Sequence, residues 1–148
     1  MKLNKGVENM LTNKTDSCEN CITEILKVIL LLQQSVCQND SCLETCDKCF
    51  LGQSTNAFLN TRPIVLYCSG DCSTPISMPI SKNPTEATTS NVFRIEKLDG
   101  CCATCRVLTT NPDETSVYPF VTTNSFFTIN LNCVSCLRCL DDTYIDTV

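Results

Sequence analysis

The sequence predicts a mainly β protein, in which one N-terminal α-helix precedes an antiparallel domain of the β-sandwich or jelly-roll type. Three observations lead there. Residues 17–36 carry apolar side chains at helical steps of three and four. Beyond residue 60 the apolar residues alternate with polar ones over short runs. Between those runs lie segments rich in Pro, Ser, Thr, Asn and Asp, the punctuation of strands and turns in a sandwich.

Residues 1–16 are polar and aperiodic and read as a flexible arm. Asp16 and Glu19 stand at capping-box spacing, with Asp in place of Ser or Thr. A helix is expected from Ser17 to Val36, with Cys18, Ile22, Ile25, Ile29, Leu32 and Val36 on its apolar side. Val28, Leu30 and Leu31 widen that side beyond one narrow face. Such a helix needs cover from its own domain or from a neighbouring subunit. The polar stretch "CQNDSCLETCDKCF" completes a unit spanning residues 17–50 and holds Cys37, Cys42, Cys46 and Cys49.

Residues 51–148 form the expected β domain, ending in a cysteine-rich segment. "RPIVLYC", Arg62–Cys68, is a strand entered through a proline, and "SGD" after it is a turn. Cys68 and Cys72 flank that turn, either paired across it or as separate thiols. Thr74–Asn91 reads mostly as loop. "VFRIEKL" sets Phe93 and Ile95 on one face and Arg94 and Glu96 on the other. After a turn at Asp99–Gly100, "CCATCRVLT" is a second strand, and "TTNPDETSVYP" is another loop. "SFFTINLNC" sets Phe127, Ile129, Leu131 and Cys133 inward and Thr128, Asn130 and Asn132 outward. Cys136 and Cys139 then project from a segment leaving the domain.

A chain of 148 residues can bury a core without covalent help, yet this one carries 14 cysteines, a density normal for short secreted scaffolds. The thiols are therefore expected to do more than rescue a weak core. The net charge is −5, and no block of Lys or Arg exists to neutralise phosphates or anionic lipid. The longest apolar run, "VILLL" at Val28–Leu32, is far short of the roughly 18 residues of a membrane span. The first residues, "MKLNKGVENMLTNKT", lack the apolar core of a secretory signal, so synthesis in a reducing compartment is expected. The thiols then either hold metal or oxidise later. Histidine is absent, which removes the commonest general base and every zinc site mixing Cys with His.

Cysteines recur three apart at Cys18/Cys21, Cys46/Cys49, Cys102/Cys105, Cys133/Cys136 and Cys136/Cys139. Two such pairs make a four-thiolate zinc site when a tight turn brings their sulfurs together. Here Cys18/Cys21 falls at a helix start, and Cys102/Cys105 and Cys133/Cys136 fall on or at the end of strands. Residues three apart on a strand face opposite sides, which suits two neighbours better than one metal. The run C-x2-C-x2-C lacks the x3-C-P continuation of a bacterial ferredoxin cluster motif. A thiol–disulfide oxidoreductase needs a βαβ setting, and the pattern offers none. The adjacent Cys101 and Cys102 face opposite ways and suit separate partners. Asp141–Asp142 reads as a solvated tail. No phosphate loop, dinucleotide loop or nucleophile elbow occurs. Neither catalysis nor a cofactor is expected.

Three stretches, "NTRPIVLYCSGD", "FRIEKLDGCCATCRVLT" and "FTINLNCVSCLRCLDDTYI", resemble in order and spacing the CotY/CotZ/ExsY family of cysteine-rich endospore coat and exosporium proteins. The chain departs from that family in having no histidine and in its C-x2-C-x2-C spacing near the end. The resemblance implies a non-catalytic structural protein, made in the mother-cell cytoplasm and placed on the spore coat or exosporium. It also implies self-assembly into a sheet or filament with copies of itself and other coat proteins, locked by disulfides between chains. Cys18, Cys21, Cys133, Cys136 and Cys139, beside the arm and at a strand's end, are the expected inter-chain cysteines. A four-cysteine zinc module and a C-x-x-C oxidoreductase are the alternatives.

Overall fold

The computed structural model of the chain describes residues 20–34, 59–68, 70, 72–146 and 148. It is mainly β, with a helix ahead of an antiparallel sheet, as the periodicities predict. Helix α1 spans Cys21–Gln34. The strands are β1 (Ile64–Cys68), β2 (Met78–Pro79), β3 (Thr89–Ser90), β4 (Val92–Asp99), β5 (Cys102–Thr110), β6 (Phe120–Asn130) and β7 (Val134–Cys139). Five of them form one antiparallel sheet in the order β6-β5-β4-β1-β7, and β2 and β3 form a short ribbon within the loop expected at Thr74–Asn91.

The N-cap of the described helix is Asn20. Its Oδ1 accepts from the Thr23 backbone N–H at 2.8 Å and from the Thr23 hydroxyl at 2.9 Å, satisfying an amide that the helix start leaves without a partner. The capping box expected at Asp16 and Glu19 lies outside the described residues, as do Cys18 and Val36. Ile22, Leu26 and Ile29 are buried, while Leu31 is 63% exposed. The apolar stripe therefore centres on Leu26. Each buried aliphatic side chain contributes about 1.5–3 kcal/mol.

The helix packs on the sheet face formed by Ile64, Leu66, Phe93, Ile95, Ala103, Cys105, Val107, Leu131 and Val134. Phe127 joins them, meeting Phe93 edge-on with centroids 4.6 Å apart. Its neighbour Phe126 points to the other face and lies under the Arg106 guanidinium, 4.5 Å from its ring centre. A bulge between Ile95 and Lys97 interrupts the β4–β5 ladder. There Gln33, at the end of α1, donates to the Ile95 carbonyl at 2.9 Å and accepts from the Arg62 N–H at 3.2 Å. One side chain thus ties the helix to β4 and to the segment entering β1.

β6 and β7 stand at opposite ends of the pairing order, yet only the 3-10 turn Leu131–Cys133 connects them. Four inter-strand steps of about 4.8 Å would separate them by ~19 Å in a flat sheet. The chain from Asn130 to Val134 spans at most about 14 Å. The sheet is therefore strongly curled, an incomplete barrel whose two edges are joined by one corner.

That corner corrects the expectation for Cys136 and Cys139. They do not project from a departing segment: β7 pairs with β1 from Ile64↔Cys139 to Cys68↔Val134. The tail after β7 is also held. Thr61 and Thr143 exchange backbone bonds of 3.0 and 2.9 Å, and Asn60 brackets Ile145 through its amide at 2.8 and 2.9 Å. Asp142, read from sequence as solvated, is instead buried in a bidentate pair with Arg62, at 2.7 and 2.9 Å.

Candidate cross-linking site

Of the described cysteines, Cys68, Cys101, Cys102 and Cys133 lie beside the β6–β7 corner. Asn130 ends β6 and caps the 3-10 turn, its side chain accepting from the Asn132 N–H at 3.0 Å. Leu131 is fully buried and plugs the corner into the core, and its N–H donates to the Cys101 carbonyl at 2.8 Å. The turn replaces the strand's period of two with one of three. As a result Cys133 is exposed, where strand alternation predicted it inward.

On one side of the corner sits the β4–β5 hairpin. Gly100 takes φ +55° in its two-residue connection, a conformation strained for other residues. Cys101 follows it and is disulfide-bonded. Its sulfur also receives the Asn132 amide at 3.8 Å. Cys102 is an exposed thiol paired in register with Asn130, the last residue of β6.

On the other side lie Cys68 and Cys136. Cys68 is exposed at the end of β1, opposite Val134, and Cys136 stands opposite Tyr67. Cys72 comes back over that position. Gly70, at φ +77°, reverses the chain, Pro75 bridges Tyr67, and the Ile76 N–H bonds the Leu66 carbonyl at 2.8 Å. Cys68 and Cys72 are both free thiols, and Cys72 lies near enough to Cys136 to perturb it. Partial burial, then the hydrogen bond and the charge of Cys72, hold the Cys136 thiol above its ordinary range.

The C-x2-C pairs separate as strand geometry requires. Cys102 is exposed and Cys105 fully buried among Ile95 and Phe127, on opposite faces of β5. Burial first, then the nearby Glu96 charge, push the Cys105 thiol up to about 12. It is a neutral core residue, not a nucleophile. Cys136 shares the outer face with Tyr67, and Cys139 shares the core face with Ile64 and is disulfide-bonded. Among the described residues no group of three or more Cys, Asp or Glu is arranged to hold a metal ion. Cys21, the first residue of α1, is an exposed thiol. Cys18, Cys37, Cys42, Cys46 and Cys49 lie outside the described residues. Sequence periodicity had no means of pairing Cys72 with Cys136, because 64 positions of chain separate them and the curl that joins the sheet edges is a tertiary property.

Among the described residues, one helix on a curled sheet with five exposed free thiols defines a small cysteine-rich β protein. The family model of spore coat protein Z matches residues 10–118, well over half of the chain, and the chain belongs to that family. This agrees with the resemblance carried by the quoted motifs, the last of which lies beyond the matched span. No curated protein and no solved structure matches the chain. Membership supports a structural role in the spore coat, in the company of other coat proteins. Among the described residues no helix is long and apolar enough to cross a membrane.

Proposed function

We propose that this protein is a self-assembling subunit of the spore coat or exosporium, which forms an ordered sheet or filament with copies of itself and is then locked by disulfides between chains. The observation that carries this reading is the display of free thiols: Cys21, Cys68, Cys72, Cys102 and Cys133 are all exposed. Free cysteine is among the most buried residue types, so five exposed thiols on so small a domain call for a role. Repeated weak contacts set the lattice while the thiols are reduced and errors are reversible. Oxidation afterwards converts each contact into a covalent link. Synthesis in the mother-cell cytoplasm, followed by oxidation when that cell lyses, supplies the two stages in order.

Cys21, Cys133 and Cys136 are the proposed inter-chain cysteines among the described residues, with Cys18 beyond them. Cys139, already in a disulfide, joins a second chain only by exchange. Electron microscopy of the purified protein with and without reductant tests the reading. Sheets or fibres that survive boiling only without reductant are expected. A soluble monomer in both conditions refutes it.

A further inference from the structure

We propose that Tyr118 and Tyr144 form a site of oxidative modification, at which a peroxide-dependent one-electron oxidant joins the two rings by a carbon–carbon bond within the chain. Tyr118 lies in the loop between β5 and β6, and Tyr144 lies in the tail after β7. Their ring centres stand 5.5 Å apart, with the planes tilted by 56°. Both residues are half-buried, so neither is sealed from a small oxidant. Each ring is also fixed from its own backbone. Asn111 opens the loop, where its N–H donates to the Pro119 carbonyl at 2.9 Å and its side-chain amide to the Tyr118 carbonyl at 3.0 Å. The Tyr118 N–H donates to the Ser116 hydroxyl at 3.1 Å. Tyr144 sits between two anchored neighbours. The Thr143 N–H donates to the Thr61 carbonyl at 2.9 Å, and the Ile145 N–H donates to Asn60 Oδ1 at 2.9 Å. The third tyrosine of the chain, Tyr67, is placed elsewhere: it stands between Cys136 and Pro75, near the end of β1 away from Thr61.

The Tyr144 hydroxyl donates to an Asp146 carboxylate oxygen at 3.3 Å. The charge of Asp146 first, then desolvation, hold that phenol above its ordinary range, so it is neutral at physiological pH. Its proton leaves with the electron, and Asp146 is placed to take it. The step balances with hydrogen peroxide as the terminal oxidant, used by a haem peroxidase. Each phenol gives up one electron and one proton and becomes a tyrosyl radical. The two radicals join through the ring carbons beside their hydroxyls, and the hydrogens on those carbons return to the phenol oxygens as the rings regain aromaticity. One carbon–carbon bond forms and the peroxide O–O bond breaks. The two electrons and two protons turn the peroxide into two waters. The product ties the tail to the β5–β6 loop. Reductant does not cleave it, so the site is independent of the proposed thiol cross-links.

The test uses the full-length protein at low micromolar concentration, with its free thiols capped by N-ethylmaleimide so that they do not quench the radicals. It is treated with hydrogen peroxide and a haem peroxidase, then reduced and digested with trypsin. Cleavage after Arg106 and Arg138 puts Tyr118 in residues 107–138 and Tyr144 in residues 139–148. A reductant-resistant link between those two peptides, lighter than their sum by two hydrogens, is expected in protein that runs as a monomer. Tyrosines left unlinked, a link from either to Tyr67, or a Tyr118–Tyr144 link found only in dimers overturns the proposal. Tyr118→Phe keeps an aromatic ring in place and should abolish both the link and the blue fluorescence of dityrosine. Fluorescence that persists in this variant counts against the site. In Asp146→Asn linking should slow severalfold, and Asp146→Glu should keep the original rate. Equal rates in all three overturn the assignment of the proton to Asp146. The mapping needs no variant, so a poorly folded substitution leaves the test intact.

Discussion

The Arg62–Asp142 pair gives the sharpest test of how the C-terminal tail is held. Both side chains are nearly sealed, 5% and 3% exposed, and they meet through two parallel bonds of 2.7 and 2.9 Å. Asp142→Ala leaves a guanidinium buried without its carboxylate. Breaking such a pair from one side costs about 3–5 kcal/mol. Both residues keep further contacts, which places the expected loss at the low end, about 3 kcal/mol. For a chain of this size that lowers Tm by roughly 6–12 °C. The assay is urea unfolding followed by circular dichroism, with phosphine reductant present so that disulfides do not enter. A double variant, Arg62→Leu with Asp142→Leu, should lose clearly less than the two single losses added, because neither charge is left stranded. If the losses simply add to within ~0.5 kcal/mol, the pair is not coupled and the reasoning fails.

Three further outcomes follow from other groups. Cys105 ionises near 9.0 when unfolded but near 12 when folded, so its contribution is complete below pH 9. As pH rises from 9 toward 12 the unfolded state loses this proton first, and stability should fall by roughly 1.4 kcal/mol per pH unit. Cys105→Val should flatten that slope in alkaline urea titrations under reductant, and an unchanged slope assigns it elsewhere. Rapid thiol labelling at pH 8 should modify Cys102 and spare Cys105 until the protein is unfolded. Equal labelling rates would contradict their placement on opposite faces. The Thr143 hydroxyl is buried without a hydrogen-bond partner. Thr143→Val should therefore raise stability by about 1 kcal/mol, and a loss of that size would show that the hydroxyl has a partner.

The longer strands of the β domain were legible where one face is buried and the other is not. "VFRIEKL" and "CCATCRVLT" alternate over part of their length, between bulges, and the two-residue connection through Gly100 fixes their pairing. β7 was not legible. "VSCLRC" holds four apolar or sulfur positions that satisfy neither a strict alternation nor a helix, and its partner β1 lies about 70 residues earlier. The same distance hid Asp142. Two adjacent acids near the end of a chain read as a polar tail until Arg62, 80 positions away, is seen to meet one of them. Helix α1 was legible in existence and less so in orientation. The wide stripe from Ile22 to Leu32 allowed several faces, and the sheet it packs on selected Leu26.

The run Cys133–Cys139 shows why spacing alone misleads about thiols. A metal site needs its sulfurs to converge, and equal spacing in sequence suggests equal surroundings. Here the fold gives three cysteines three environments. Cys133 is set outward by a 3-10 turn, Cys136 stands half-buried on the outer face opposite Tyr67, and Cys139 turns to the core face and is already bonded. What separates them is the corner that closes the curled sheet, since it changes the backbone period between the first cysteine and the second. Replacing the corner's plug, Leu131→Ala, should cost about 2–5 kcal/mol and blur those distinctions together. Under partial oxidation the variant should give mixed pairings among Cys133, Cys136 and Cys72 by peptide mapping. A single unchanged pairing would show that the corner does not set them apart.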